Sequence, residues 1–176
     1  MINNNKMIEV ELRFKLREEI KDKLKQLGAK TISKSVENDT YFKFGEDKER
    51  RFIIRIRKKN GVETLTFKGS SLLNEDSAWQ EWEAKISNSD NLKKLLLSNG
   101  FIELVKINKL REKFKLENFE INLDEVENLG KFVEVEVLGN DPEKARSLIM
   151  NFVQNKLGVP KDAIIQKGYV KLMLKE

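Results

Sequence analysis

Two residue types that often carry catalysis are missing from this sequence. Its 176 residues include no cysteine and no histidine. Without cysteine the chain can form neither a disulfide framework nor a thiolate metal site. Without histidine it lacks the side chain that most often serves as a general base and as a zinc ligand. Any metal site must therefore be built from carboxylates, which suit hard cations such as Mg²⁺, Mn²⁺ or Ca²⁺.

Long apolar stretches are missing as well. No segment approaches the roughly 18 consecutive apolar residues of a membrane-spanning helix, and the first residues lack the apolar core of a signal peptide. We therefore expect a cytoplasmic protein without membrane contact. Charge, in contrast, is abundant: Asp, Glu, Lys and Arg make up 36% of the chain, and the net charge is +5. This balance favours an anionic partner, such as a phosphate compound.

A repeated alternation of charge predicts which faces the strands present. In residues 8–14, Glu9, Glu11 and Arg13 share one face of an extended strand, and apolar residues share the other. A single strand of this kind usually has its charged face in solvent. The same spacing recurs at Arg55 and Arg57, at Glu81, Glu83 and Lys85, at Lys109 and Arg111, and at Glu134 and Glu136. The recurrence indicates that the charged faces look into one shared space.

Eight strands are predicted, with helices between some of them. We expect strands near 6–16, 31–44, 51–58, 63–68, 78–86, 103–116, 119–126 and 131–138, and helices near 17–28, 87–100 and 141–157, with a short helical tail over 161–176. This order predicts an α+β, mainly β fold: a closed eight-stranded antiparallel β-barrel with amphipathic helices packed outside. The chain would be one domain over 1–176, with a C-terminal helical segment from about 141, and the charged strand faces would line a polar tunnel.

The acidic part of this lining predicts a metal site. Glu9 and Glu11 lie on the first strand, and Glu134 and Glu136 on the last. First and last strands are neighbours in a closed barrel, so the two pairs can converge. Asp124 lies near the end of the strand before them. Because hard divalent cations take oxygen ligands, the two glutamate pairs could hold Mg²⁺ or Mn²⁺.

The basic part of the lining predicts phosphate binding. Successive same-face residues lie roughly 6.6–7 Å apart along a strand, and rows of cations at that spacing could clamp a chain of phosphates. Arginine would give bidentate contacts and lysine point charges. The set consists of Arg13, Arg55, Arg57, Lys68, Lys85, Lys109 and Arg111. Enzymes that catalyse phosphoryl transfer use a metal site together with such a cluster of cations.

An ordered series of motifs resembles the CYTH domain, or triphosphate tunnel metalloenzyme, superfamily over almost the whole chain. Residues 9–13 (EVELR) are similar to its Glu-x-Glu-x-Lys signature, and residues 39–42 (DTYF) to its second-strand motif. Residues 55–57 (RIR) resemble its paired basic strand, and residues 66–69 (TFKG) its Thr-x-Lys-Gly motif. Residues 123–136 (LDEVENLGKFVEVE) are close to its Leu-Asp-x-Val-x-x-Leu-Gly-x-Phe-x-Glu-x-Glu signature.

This resemblance implies a tunnel that binds a triphosphate together with Mg²⁺ or Mn²⁺. By position, the residues that resemble the metal-binding glutamates are Glu9, Glu11, Glu134 and Glu136. Those that resemble the phosphate-binding cations are Arg55, Arg57, Lys68, Lys85, Lys109 and Arg111, and Asp124 resembles an acid near metal or substrate. Catalysis would fall to Glu9, Glu11 and Arg13. Arg13 stands where the signature has lysine; arginine keeps the charge but does not deprotonate, which argues against a proton shuttle there.

Three functions are open at this point. Members of the superfamily hydrolyse inorganic, nucleoside, RNA 5′- or thiamine triphosphate, or cyclise ATP. We favour hydrolysis of inorganic triphosphate over ATP, because the motifs specify phosphates and nothing specifies a base. The alternatives are an adenylate cyclase that forms cyclic AMP and pyrophosphate, and a non-catalytic binder of polyphosphate or nucleic acid. Nucleic acid is the less favoured partner, because basic patches that bind it usually interleave exposed aromatics. A homodimer is left open.

Overall fold

The structure, a computed structural model, describes residues 8–45, 52–69, 72 and 78–176. Its strands are β1 (Ile8–Lys15), β2 (Lys30–Phe44), β3 (Phe52–Lys59), β4 (Val62–Gly69), β5 (Ala78–Trp79), β6 (Glu81–Ile86), β7 (Phe101–Leu116), β8 (Phe119–Val126), β9 (Gly130–Gly139) and β10 (Ile164–Ile165). Its helices are α1 (Glu18–Gln26), α2 (Ser89–Ser98), α3 (Pro142–Asn155) and α4 (Tyr169–Leu174), with a 3₁₀ turn at Lys161–Ala163. Within these ranges no helix is long and apolar enough to cross a lipid bilayer.

The strands form one antiparallel sheet that curls into a barrel. Neighbours along the sheet run β1, β9, β8, β7, β2, β3, β4 and β6. β1 and β9 are paired directly, with Glu11 opposite Glu136 and Arg13 opposite Glu134. The predicted adjacency of the first and last long strands is therefore confirmed, and with it the meeting of the two Glu-x-Glu segments.

The barrel is closed by a strand that breaks at Gln80. The sequence predicts one strand over 78–86, but the structure divides it into β5 and β6. β5 pairs with β1, where Trp79 lies opposite Glu9, while β6 pairs with β4. The break lets each half follow the twist of a different neighbour. Counted as one position, β5 and β6 complete the eight-stranded antiparallel barrel that the sequence predicts, and the α+β, mainly β class is confirmed.

The largest hydrophobic cluster lies outside the barrel, beneath α1 and α3. Val10, Leu12 and Phe14 on the outer face of β1 are at most 2% exposed. They pack with Val133 and Val135 of β9 and with apolar residues of both helices. Each such side chain contributes roughly 1.5–3 kcal/mol when it is fully buried. Because side chains alternate along a strand, the charged residues between these positions must face the barrel interior.

The helices that cover the barrel begin and end where the sequence places breaks. In α1, Ile20 and Leu24 recur at helical spacing and are fully buried. α3 starts at Pro142, and the preceding Asp141 accepts a hydrogen bond from the backbone N–H of Lys144 at 3.1 Å. Asn88 caps α2 in the same way, and α2 covers a smaller cluster on β2 and β3. The three predicted helices are thus present within a few residues of their expected bounds.

The C-terminal region differs from the simple helical tail that we expect from the sequence. Its strand β10 adds to the edge of β1, where Ile165 lies opposite Arg13. α4 then packs with Tyr41, Ile107 and Phe132 at the end of the barrel where β2 ends and β7 begins. These residues share strand faces with the inward-facing charges. The interior is therefore not charged throughout: one end of it is apolar. The expected starts of strands one and three, at 6–7 and 51, lie outside the described residues.

Candidate active site in the barrel

A cavity of about 980 Å³ occupies the barrel interior. This volume is at the upper end of the roughly 300–1,000 Å³ that small-molecule sites span. All the residues that the sequence predicts for the site, with the exception of Asp124, line this cavity. The charge alternation along the strands therefore brings them into one space, as expected. The contacts of each residue indicate whether it could bind metal or substrate.

Three glutamates meet on the wall formed by β1 and β9. Carboxylate oxygens of Glu9, Glu11 and Glu136 all lie within 4.8 Å of one another. An ion that contacts all three at roughly 2.0–2.6 Å requires oxygen separations below about 5 Å. The carboxylate trio, as we call these three residues, therefore fits one hard divalent cation by geometry.

The pKa values of the carboxylate trio also favour a bound divalent cation. Burial and the charge of Glu134 raise the pKa of Glu11 to about 7. Burial, reinforced by Glu9, raises the pKa of Glu136 well above its ordinary value. Burial also raises the pKa of Glu9, although Lys68 opposes the shift. The ionised trio is thus short of positive charge, and a divalent cation would supply it.

Glu134 lies beside the carboxylate trio but is already neutralised by two arginines. Its carboxylate accepts a hydrogen bond from Arg13 Nε at 2.7 Å and another from Arg111. Although burial opposes ionisation, Arg13 and Arg111 together lower the pKa of Glu134 well below its ordinary value. Arg13 also donates to Glu11 at 2.5 Å and so links Glu134 to the trio. The place of Glu134 among the metal ligands stays a prediction.

Arg55 lines the cavity, and one of its hydrogen-bond donors has no partner among the described residues. β3, which carries it, is four strand positions from β9 in either direction around the barrel and so lies across the cavity. Its Nη2 donates to Thr66 at 2.9 Å, while its buried Nε has no hydrogen-bond partner among the described residues. An unsatisfied buried donor costs about 1–3 kcal/mol. An anionic ligand oxygen would remove that cost.

Arg57 and Lys68 are held by acidic partners. Arg57 donates to both oxygens of Asp39, at 2.6 and 2.7 Å. Lys68 forms an ion pair with Glu81. Burial opposes the charge of Lys68, but Glu81 and Glu9 outweigh it and raise the pKa of the ammonium above its ordinary value. Both cations are therefore fixed in place and charged at neutral pH.

Lys109 is buried but only loosely paired. Its ammonium lies 3.6 Å from Glu37 and 3.8 Å from Asp39. Burial and the neighbouring Arg111 lower the pKa of Lys109. An anion beside it would therefore favour the charged form. Lys85 belongs to the exposed part of the lining, and no ion pair of this lysine is found within the described ranges.

Asp124 lies behind Arg111 instead of lining the cavity. It is 1% exposed, and its two oxygens accept from Arg111 Nε and Nη2 at 2.7 and 2.6 Å. Direct substrate contact, which the sequence predicts for Asp124, does not fit this position. A bidentate pair of this kind fixes the plane of the guanidinium group, so Asp124 can affect a substrate only through Arg111.

Two acids and one tyrosine near the site were not predicted as site residues from the sequence, although one of the acids, Asp39, begins the DTYF motif. Glu37 and Asp39 lie on β2, pair with cations of β3 and β7, and are at most 1% exposed. Glu37 and Asp39 repeat the i, i+2 charge spacing of β1, and this spacing could have identified both acids, although the positions between and beside them are Val36, Asn38 and Thr40 and not a uniformly apolar face. Tyr169 lines the cavity from α4. The six residues of α4 are mostly apolar, and nothing in that pattern distinguishes a site residue from a packing residue.

Comparison with known proteins gives two matches over nearly the whole chain. The family model described as the CYTH domain matches residues 7–169. A protein of Methanocaldococcus jannaschii that is named as a candidate adenylate cyclase is 33% identical over 173 residues, which cover 94% of this chain and 98% of that protein.

Solved structures show the same fold. The PH1012 protein of Pyrococcus horikoshii superposes with a TM-score of 0.84 at 28% identity, and the match covers 93% of this chain and 98% of that one. HpAC1 from Hippeastrum, an adenylyl cyclase candidate described as having a dominant triphosphatase activity, superposes with a TM-score of 0.67 at 20% identity over 96% of this chain and 94% of its own. From the family match over nearly the whole chain and the 33% identity to a relative of the same length, we conclude that this chain belongs to the CYTH domain family.

Proposed function

We propose that this protein is a divalent-metal-dependent triphosphatase that cleaves inorganic triphosphate to orthophosphate and pyrophosphate. The observation that carries the proposal is a pair of incompletely satisfied groups in one cavity. The carboxylate trio is short of positive charge, and Arg55, across the cavity, has a buried donor that finds no acceptor among the described residues. A triphosphate complexed with a divalent cation would satisfy both.

Each part of the lining has a task in this reaction. The carboxylate trio would hold Mg²⁺ or Mn²⁺, since both prefer oxygen ligands. When bound, the ion would neutralise charge on the terminal phosphate and orient the attacking water. Arg55, Lys109 and Arg111 would bind phosphate oxygens and stabilise the charge that develops on the departing pyrophosphate. Arg13 stays charged and holds Glu11 in place.

The remaining predicted cations extend the clamp along the cavity. Arg57 and Lys68 keep their charge at neutral pH because acids support them. Lys85 lies on the exposed part of the lining, where a further phosphate group would meet it. Successive phosphates of a chain would therefore find a cation at each step, which supports a polyanionic substrate.

Two aromatic rings of the lining, those of Trp79 and Tyr169, favour inorganic triphosphate over ATP. Lys68 Nζ lies 4.5 Å from the centre of the Trp79 ring, and the Arg13 guanidinium lies 4.3 Å from the centre of the Tyr169 ring. One face of each ring is thus covered by a cation. A base would have to displace that cation to stack there, at the loss of a cation–π contact of about 0.5–2 kcal/mol.

A second candidate function is adenylate cyclisation. The observation that favours it is the full-length relative that is 33% identical and is named as a candidate adenylate cyclase. In that reaction the ribose 3′-hydroxyl attacks the α-phosphorus of ATP and pyrophosphate leaves. The same metal site and the same phosphate-binding cations would serve both hydrolysis and cyclisation. The two functions therefore differ in whether the cavity accommodates a nucleoside.

The test is to incubate the purified protein with inorganic triphosphate, ATP or thiamine triphosphate, each with Mg²⁺, Mn²⁺ or EDTA, and to resolve all products. We expect orthophosphate and pyrophosphate from inorganic triphosphate, and none with EDTA. Cyclic AMP from ATP would assign the cyclase instead. Tight, salt-dependent triphosphate binding without turnover would leave a non-catalytic binder.

A matched pair of variants locates the reaction in the barrel. Glu11→Gln removes one carboxylate of the trio, and Glu125→Gln makes the same chemical change on an exposed position of β8. We expect kcat to fall by roughly a hundredfold or more in the first variant, because a metal ligand is lost. The second should match wild type. Equal activity in both variants would remove the trio from the mechanism.

A further inference from the structure

The C-terminal segment that precedes and starts α4 contacts the site from one end of the barrel. The backbone carbonyl of Lys167 accepts a hydrogen bond from Arg13 Nη1 at 2.9 Å. Tyr169 follows two residues later and lines the cavity. Its ring packs edge-on against Phe132, with 5.2 Å between ring centroids, and is 6% exposed. The segment is therefore anchored, and its tyrosine has a fixed position.

The hydroxyl of Tyr169 belongs to a chain of hydrogen bonds that ends at a cation of the clamp. It donates to Asp124 Oδ2 at 2.9 Å. The same oxygen accepts from Arg111 Nη2, and Oδ1 accepts from Arg111 Nε. The carboxylate of Asp124 thus accepts hydrogen bonds from Arg111 and from Tyr169, and these bonds fix its rotation. Because the carboxylate defines the guanidinium plane, Tyr169 acts on Arg111 without touching it.

The ring of Tyr169 contacts two further cations of the cavity. The guanidinium carbon of Arg13 lies 4.3 Å from the ring centre, and Lys109 Nζ lies 5.4 Å from it. Both distances are within the roughly 6 Å over which a cation is attracted to an aromatic face. The tyrosine therefore meets cations from β1 and β7 together. Arg13 and Arg111 are also the two arginines that bind Glu134 from either side.

From this arrangement we propose that Tyr169 is a positioning residue of the barrel site: through Asp124 it sets the plane of the Arg111 guanidinium, and with its ring it holds Arg13. The inference rests on the proposed function, because it concerns the same phosphate-binding cavity. Displacements of about 1 Å in a group that binds the substrate can cost on the order of a hundredfold in rate, so a residue that fixes such a group has a measurable effect.

The test compares Tyr169→Phe, which removes only the hydroxyl, with Asp124→Asn and with the double variant. Triphosphate affinity is measured by calorimetry in the presence of Ca²⁺ as a probe ion, and KM and kcat with Mg²⁺. We expect Tyr169→Phe to raise Kd and KM about three- to tenfold, because the lost hydrogen bond acts on the substrate only indirectly, through Asp124 and Arg111. The double variant should be no weaker than Asp124→Asn alone, since both changes interrupt one chain.

A substrate-independent measurement keeps the inference separate from the proposed function. In Tyr169→Phe the solvent exchange of the Arg111 Nε proton, followed by NMR, should accelerate relative to wild type. Leu172→Ala, on the same helix, serves as the control for loss of packing: it should lower Tm while the Arg111 signal and Kd stay as in wild type. Wild type that neither binds nor hydrolyses triphosphate would overturn the proposed function alone.

Three results would overturn the role of Tyr169. The first is an Arg111 exchange rate that is unchanged in Tyr169→Phe. The second is a Kd equal to that of wild type in a protein that does bind triphosphate. The third is a double variant whose loss multiplies the two single losses, because independent effects would mean that the hydroxyl and Asp124 do not act through one chain.

Discussion

At single positions in this barrel, the pKa of a buried carboxyl depends on how far the neighbouring arginines offset the effect of burial. The four glutamates of the two Glu-x-Glu segments show both outcomes. Glu134 has two arginine partners, which lower its pKa. Burial raises the pKa of the other three, Glu9, Glu11 and Glu136. Glutamates that occupy equivalent places in the two Glu-x-Glu segments therefore have pKa values shifted in opposite directions in the structure.

This difference predicts opposite effects of two chemically identical substitutions. Without metal, Glu136→Gln should leave the free energy of unfolding unchanged or raise it, because it removes a buried charge from the carboxylate trio. Glu134→Gln should lower it by about 1–3 kcal/mol, because Arg13 and Arg111 each lose a charged partner. Urea unfolding in EDTA at neutral pH measures both.

For metal affinity we expect the reverse order: Glu136→Gln, the less harmful substitution for stability, should be the more harmful one for Mn²⁺ binding. We expect Glu136→Gln to weaken Mn²⁺ binding by roughly tenfold or more, and Glu134→Gln to weaken it less. Mn²⁺ titration followed by electron paramagnetic resonance gives both values, with Glu125→Gln as the exposed control. If Glu134→Gln lost more metal affinity than Glu136→Gln, all four glutamates would have to be treated as ligands, as the sequence alone predicts.

At the scale of elements, two helix ends offer a matched comparison. Gly28 follows α1 with φ +81°, and Gly100 follows α2 with φ +85°. A Cβ at Gly28 would meet nothing within 4 Å, whereas a Cβ at Gly100 would lie 3.1 Å from Cε2 of Phe44. Gly28→Ala should cost about 1–2 kcal/mol of unfolding free energy from backbone strain alone. Gly100→Ala should cost about 1 kcal/mol more, since the Phe44 ring must also move. Thermal or urea unfolding distinguishes the two, and equal losses would mean that Phe44 adapts without cost.

The strands could be predicted from the sequence because side-chain alternation is local. Most residues of β1 and β9 show their face by their chemistry, with Phe132 on the inward face as an exception, and the apolar outward faces match the helices that cover them. The division of the fifth strand at Gln80 could not be predicted. It arises from pairing with two different neighbours, and Gln80 itself carries no turn signal. The same holds for β10, which is two residues long and is defined only by its pairing with β1.

The site could be predicted where its residues alternate along long strands, and not where they lie behind others. The inward-facing cations follow from the pattern, and the structure brings them to the cavity. Asp124 appears in the same pattern, yet only the packing shows that Arg111 stands between it and the cavity. Tyr169 is a packing residue by pattern and contacts the site only because α4 folds back onto the barrel end. The single-domain bounds, the cytoplasmic location and the homodimer stay predictions.

At the scale of the whole molecule, acidic pH should weaken the barrel through its buried carboxylates. Burial opposes the ionisation of Glu37, but Arg111, Lys109 and Arg57 lower its pKa from 4.5 to about 2. Since the folded-state pKa is below the unfolded value, the stabilisation is complete above about pH 4.5 and is lost as the pH falls towards 2. By linkage this one group contributes roughly 3 kcal/mol at neutral pH.

The measurement is the free energy of unfolding in urea at pH 7 and pH 3. Wild type should lose stability between these values, and Glu37→Gln should lose less, because its side chain does not titrate. Asp39, whose pKa is also lowered by its arginine, should retain part of the dependence in that variant. The same pH dependence in both proteins would show that Glu37 is not the group responsible.

The barrel is organised so that the apolar outward faces of β1 and β9 pack under helices while charged faces enclose a cavity. The central claim is that this cavity holds a divalent cation on Glu9, Glu11 and Glu136 opposite a clamp for phosphates. Anomalous scattering from crystals grown with Mn²⁺ and a non-hydrolysable triphosphate analogue tests it most directly. The account predicts a manganese peak within about 2.6 Å of oxygens from all three glutamates, with the analogue reaching Arg55. A peak bound to other residues, with the carboxylate trio free of metal, would contradict it.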